Sequence, residues 1–150
     1  MKRLLLAMCA ILLGVVSLSA QDDLYKELGK KYDKMDGYQV VSVGRAAIRM
    51  AAMSGDKESR EMMRKIDLLV SVSRKGEVCG PLRSDFDRLV NGYNSVGTLC
   101  RDTAEVVLFM NPEHTGFAMY SHTPSGETVL LLQGKDLKLE ELLPKDVQLD

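Results

Sequence analysis

The sequence has little of what most recognisable chemistries need. It holds two histidines, His114 and His122. One falls in a turn and the other at the end of the next strand, and eight residues of strand separate them by up to ~26 Å. They cannot share a metal. A two-histidine zinc site is therefore ruled out, and a nucleophile–histidine–aspartate triad lacks members. Neither sign of charge dominates. The 20 Lys+Arg face 21 Asp+Glu, for a formal net charge of −1, which argues against a dedicated nucleic-acid binder. There is no glycine-rich phosphate loop, repeat, low-complexity tract or linker. At 45% hydrophobic and 27% charged residues over 150 positions, the composition also argues against wholesale disorder, collagen and a multi-span membrane protein.

The first twenty residues read as an address. Lys2 and Arg3 give a positive start, and Leu4 to Val16 is an uncharged, almost wholly apolar run of thirteen residues. Ser17-Leu18-Ser19-Ala20 follows, and charge returns at Asp22-Asp23. These are the three parts of a secretory signal peptide. The expected cut falls after Ala20, leaving residues 21–150 as one exported domain in the periplasm or outside the cell. Leu18 is large for its place before that cut, so a cut after Ser19 stays open. So does an uncleaved anchor, since Leu4 to Ala20 spans seventeen uncharged residues, at the bottom of the bilayer range. Cys9 follows Leu6-Ala7-Met8, but bulky Met8 and the short apolar run before it argue against a lipid-attachment box. Removing the leader leaves 130 residues with 18 basic and 21 acidic side chains, net −3, enough chain for one real core.

Two cysteines remain, Cys79 and Cys100. An even pair in an oxidising compartment suggests a disulfide. Leu68–Ser73 reads as a strand, Pro81–Val90 as a helix and Ser95–Arg101 as a strand. In such a β-α-β order the helix runs back, so its start and the second strand's end share one side of the layer. Cys79 precedes that helix and Cys100 lies near that strand's end. A bridge here would add about 3 kcal/mol in the chain-entropy model. The other reading is two unpaired, buried small hydrophobes.

The rest of the chain is patterned clearly. Asp22–Asp36 reads as a helix with Leu24, Leu28, Tyr32 and Met35 as its apolar stripe. Tyr38–Val43 is a short β-branched strand. Arg45–Met53 and Asp56–Asp67 read as helices, the first with Ile48, Ala51, Ala52 and Met53 on one face, the second with Met62, Met63 and Ile66 inward. After the Pro81 helix, Ser95–Arg101, Glu105–Met110, Gly116–His122 and Glu127–Gln133 are strands separated by turn formers. Leu137, Leu139, Leu142 and Leu143 form a last apolar patch, expected to dock as a short helical turn ended by Pro144. The order predicts a two-layer α+β domain, with helices on one face of a mostly antiparallel sheet that ends in a four-strand meander.

The leader, the strand Val40–Val43 running into the Met-containing helix Arg45–Met53, the Asp67-Leu68-Leu69 strand entry, the Gly92-Tyr93 start of the meander, and the closing Leu132-Gln133-Gly134-Lys135-Asp136-Leu137 stand in one order along the chain. In these features it resembles a family of small exported proteins of unknown function from Bacteroidetes-type bacteria. The resemblance covers most of 22–143. It implies an envelope location and an α+β fold, and brings no catalytic residues with it.

Each remaining constellation has a plainer explanation beside the chemical one. Cys79-Gly80-Pro81-Leu82 is similar to a thioredoxin-type motif, and a helix start lowers a thiol pKa, but Leu82 stands where a second cysteine is needed. Met50, Met53, Met62 and Met63 offer soft ligands for Cu(I). Filling an irregular core explains them better, and a flexible Met-lined groove for an apolar partner is a further reading. Asp33/Asp36 and Asp85/Asp87 read as solvated helix faces. Arg45, Arg49, Arg60, Arg64 and Lys65 form a basic surface that Asp56, Glu58 and Glu61 dilute. No residue pattern implies a cofactor. The expectation is a non-enzymatic binding module whose partner is an envelope protein or a small apolar ligand, with Gly116–His122 and Glu127–Gln133 as candidate acceptor edges. The alternatives are a sensor or accessory factor in envelope signalling, by analogy with the family, and a thiol-dependent enzyme acting through Cys79.

Overall fold

Alternating apolar residues build a six-stranded sheet, and two layers of helix flank it. The computed structural model describes residues 24–76, 81–101 and 103–142. The expected leader 1–20, Cys79, Leu143 and Pro144 lie outside the described residues. In chain order the elements are α1 (24–33), β1 (Tyr38–Gly44), α2 (Arg45–Ala52), α3 (Lys57–Arg64), β2 (Ile66–Lys75), α4 (Pro81–Leu89), β3 (Asn94–Arg101), β4 (Ala104–Met110), β5 (Gly116–Thr123), β6 (Gly126–Gly134) and α5 (Leu139–Leu142).

The sheet order is β1-β2-β6-β5-β4-β3, and every pair is antiparallel. The fold is thus α+β with the expected closing meander β3–β6. α4 carries the chain from β2 to the far edge, so β3 runs parallel to β2 without touching it. Its start is held by Pro81, whose missing N–H would be unpaired there anyway.

One face of the sheet carries α1 and α4. Tyr25, Leu28 and Tyr32 of α1 and Leu82 and Phe86 of α4 pack on Leu68, Val70, Val72, Tyr120, Val129 and Leu131. The inward stripe of α1 is therefore not the expected Leu24–Leu28–Tyr32–Met35. Leu24 is 52% and Met35 37% exposed, while Tyr25 is fully buried. Both stripes share Leu28 and Tyr32, and hydroxyl partners distinguish them. The Tyr25 hydroxyl lies 2.7 Å from that of Tyr93, and Tyr32 donates to Asp85 at 2.6 Å, so both tyrosines are buried with their polar ends satisfied. Gly29 lets the helix sit close, because a Cβ there would come within 3.2 Å of Val70.

The opposite face holds a second apolar cluster. Ile48 from α2, Met63 from α3 and Leu139 and Leu142 from α5 pack with Ile66, Leu108, Phe117, Leu132 and Leu137. Ile66 and Asp67, expected to end a helix, instead begin β2. A register shift between Ile66 and Leu68 puts these two residues in different clusters, since one extra residue reverses which face a strand side chain takes. The third helix is correspondingly short. Asp56 caps it by accepting from the Ser59 N–H at 2.8 Å. No helix among the described residues is long and apolar enough to cross a membrane.

Candidate functional site

The strands expected to be exposed edges are interior. β6 lies between β2 and β5, and β5 between β6 and β4, so neither can accept a partner strand. The actual edges are β1 and β3. Among the described residues nothing pairs with the outer side of either.

The two edges differ in how they are protected. β3 carries a bulge between Ser95 and Gly97 and an exposed Arg101, both of which discourage strand addition. β1 reads YQVVSVG. It has no charge, no proline and no register shift against β2. Val41 is 54% exposed. Beside this edge runs a groove of about 310 Å³, lined by Lys26, Gly29, Lys30 and Asp33 of α1 and by Val40 and Ser42 of β1. The groove exists because α1 is set tightly on Val40 and Val70 through Gly29, leaving its lysine-bearing flank hanging over the strand.

A row of ionisable side chains crosses the α1/α4 face at one end of the sheet. Register places Tyr38, Arg74, Glu127, His122, Glu105 and Cys100 opposite one another from edge to edge. Arg74 lies over the Tyr38 ring at 5.5 Å. His122 Nε2 is 3.0 Å from Glu105 rather than bonded to its other neighbour, Glu127. Glu127 is only 2% exposed. Its Oε2 accepts from Tyr120 at 2.7 Å, and its Oε1 has no hydrogen-bond partner among the described residues. Arg83 reaches this row from α4, with its guanidinium 4.8 Å over the Tyr120 ring and 3.9 Å from Glu105. Burial, then the Glu127 bond, drives the Tyr120 pKa well above its ordinary value near 10.

The other singled-out residues are placed as follows. His114 sits in the β4–β5 turn with positive φ. Its Nδ1 lies 3.2 Å from the Leu137 carbonyl, so it clamps the C-terminal segment, at the opposite end of β5 from His122. Cys100 is exposed. It pairs in register with Glu105, and Glu105 meets Arg83, so Cys100 does lie at the end of the layer where α4 begins. Asp85 accepts from Lys31 at 2.7 Å and from Tyr32. Burial pushes its pKa up, but these hydrogen bonds outweigh it and hold the carboxyl below its ordinary value. Asp87 is bonded to Arg83 within α4. Among the described residues no group of three or more His, Cys, Asp or Glu is placed to hold a metal. A depression of about 590 Å³ at the row's end of the sheet is lined by Tyr38, Arg74 and Glu127 of the row together with Gln39, Ser73, Lys75, Ser121, Thr123, Ser125 and Thr128, so it mixes hydroxyls and an amide with two cations and one carboxylate.

Neither Met50 nor Met53 is in the core. They are 73% and 80% exposed, because α2 turns only Ile48 and Ala52 inward. Met62 and Met63 are half-buried.

No family model matches the chain, and no curated protein matches it. Among solved structures it is similar to the crystal structure of a DUF4853 family protein from Actinomyces odontolyticus, at 11% identity over 89% of this chain and 68% of that one, with a TM-score of 0.32. A likeness that loose carries no argument about fold or activity.

Proposed function

We propose that the chain is an exported, non-enzymatic binding module that accepts an extended segment of another cell-envelope protein along β1. The unguarded edge of β1 beside the α1 groove is the observation that carries this reading. Seven uncharged residues offer about three or four outward backbone pairs at roughly 1 kcal/mol net each, and alternate side chains of the guest read the two flanks. On the α1 side they meet Lys26, Lys30 and Asp33, two cations against one carboxylate, a balance that favours acidic residues. On the other side they meet Val41, which favours apolar ones. The guest is therefore an extended stretch of about seven residues with apolar and acidic positions alternating. The leader-like residues 1–20 and the family resemblance support export.

The test is cross-linking in intact host cells followed by purification of tagged protein and mass spectrometry. Val41→Lys adds a guarding charge at an exposed site and should leave thermal stability unchanged. One enriched envelope protein, lost with Val41→Lys and kept with Thr98→Lys on the β3 edge, is the expected result. Equal recovery with both variants would refute β1 as the acceptor.

A further inference from the structure

The α2–α3 corner combines exposed apolar side chains with three arginines that form no salt bridge among the described residues. Met50 and Met53 project from α2, and Ala46, Ala47 and Ala51 beside them are also exposed. A cleft of about 670 Å³ between the two helices is lined by Arg49, Met50, Ala52, Met53, Arg60 and Arg64. Arg60 and Arg64 are four apart on α3 and so share a face.

The nearby carboxylates are engaged elsewhere. Asp56 caps α3, Asp67 takes Arg45 at 2.7 Å, and Glu141 takes Lys65 at 2.9 Å. These pairs remove two cations from the basic surface and leave Arg49, Arg60 and Arg64 without a salt-bridge partner among the described residues. Glu58 lies well around α3 from the arginine pair, whereas Glu61, three residues before Arg64, adjoins it on the helix surface without forming a salt bridge to it among the described residues.

Protruding thioethers flanked by guanidinium groups match the division of labour at a bilayer interface, where apolar side chains enter the headgroup boundary and cations hold lipid phosphates. A soluble peptide groove would enclose its apolar residues, whereas these two methionines line the cleft yet stay 73% and 80% exposed. We infer that this corner docks on an anionic lipid surface, with Met50 and Met53 inserted among the headgroups and Arg49, Arg60 and Arg64 on the phosphates. The contact is peripheral and reversible. It lies on the helices that follow β1, so it would present the β1 edge close to the membrane plane.

Vesicle sedimentation tests this with protein purified from the exported fraction of its host. The vesicles are 30% phosphatidylglycerol in phosphatidylcholine, against phosphatidylcholine alone. Binding should need the anionic lipid and be largely released by 1 M NaCl, where the screening length falls to about 3 Å. Each arginine near such a surface is worth about fivefold in partitioning, so Arg60→Gln/Arg64→Gln should weaken binding about 25-fold. Met50→Ser/Met53→Ser should weaken it about tenfold or more. Both variants change exposed side chains and should keep the wild-type melting temperature. Val41→Lys should bind vesicles as wild type does, which separates this surface from the strand acceptor. Equal binding to both lipid compositions, or wild-type binding by the arginine variant, would overturn the inference. So would concentration-dependent dimerisation without lipid that Met50→Ser/Met53→Ser abolishes, because the corner would then be an interface between copies.

Discussion

Removing the Tyr120 hydroxyl isolates Glu127, the one buried carboxylate among the described residues. Glu127 is 2% exposed and its Oε1 is already unpartnered among the described residues. Tyr120 supplies the bond to Oε2 at 2.7 Å. In Tyr120→Phe the ring stays beneath Arg83 and in contact with Phe86, whose ring centroid is 5.6 Å away, so packing is conserved and the lost term is polar. A hydrogen bond to a charged group contributes about 1.5–3 kcal/mol, and an abandoned buried acceptor costs on that order. The expected destabilisation is about 2–3 kcal/mol, or a fall of roughly 6–10 °C in melting temperature for a domain of this size. Glu127→Gln keeps an acceptor for the hydroxyl and removes the charge, so Tyr120→Phe in that background should cost only about 1 kcal/mol. Urea unfolding of the four proteins in the cycle gives the coupling, expected at about 1–2 kcal/mol. A cost below about 0.5 kcal/mol for Tyr120→Phe, or equal costs in both backgrounds, would refute the account of Glu127 as a carboxylate dependent on this tyrosine.

Other predictions follow from the same contacts. Burial, together with hydrogen bonds to Asp85 and Glu127, raises the pKa of Tyr32 and Tyr120 above the usual value near 10. Their stabilisation is complete below that value and is lost as pH rises beyond it, so absorbance at the tyrosinate band should show two of the five tyrosines ionising only with unfolding. Asp85 has the opposite sign. Its lowered pKa gives stability that is present above about 3.8 and lost as pH falls further, and Asp85→Asn should flatten the acid limb of a pH–stability curve. Gly134→Ala would drive a Cβ into the backbone carbonyl of Lys65 and should cost more than about 3 kcal/mol; Gly44→Ala, with open space around it, should be near neutral. We propose that Cys79 and Cys100 are paired, so non-reducing alkylation of exported protein should leave both unlabelled and Cys100→Ser should cost about 3 kcal/mol. Free labelling of Cys100 in that sample would end the pairing.

Local pattern and long-range pairing were unequally readable in the sequence. Every expected strand exists, because the alternation in segments such as Ile66–Lys75 leaves a two-residue signature. Turn residues also announced that β3 to β6 are sequential neighbours. The partner of the last strand left no such mark. β6 meets β2 across the whole intervening chain, and nothing local to Glu127–Gln133 distinguishes an interior strand from an edge. That one missing pairing moved the candidate acceptor from β1 to β5 and β6. The α1 stripe slipped by one position because Leu24 and Tyr25 both keep helical spacing with Leu28 and Tyr32. The proposed lipid-facing corner was hidden for a different reason. Methionine spacing on α2 fits an apolar stripe, and only the placement of α2 at the rim of the sheet, burying Ile48 and Ala52 alone, turns Met50 and Met53 outward.

The sheet order also sets when the molecule can finish folding. Before residue 134 emerges from a translocon or ribosome, the chain can form two incomplete pieces, β1–β2 with α2 and α3, and the β3–β4–β5 ribbon. Each then exposes an unpaired inner border, β2 in one and β5 in the other, awaiting the same strand. Only β6 zips them, and it supplies Val129, Leu131 and Leu132 to the two apolar clusters at once. A chain emerging vectorially therefore stays adhesive until almost all of it is out, and its dependence on holdase chaperones should concentrate in that final interval.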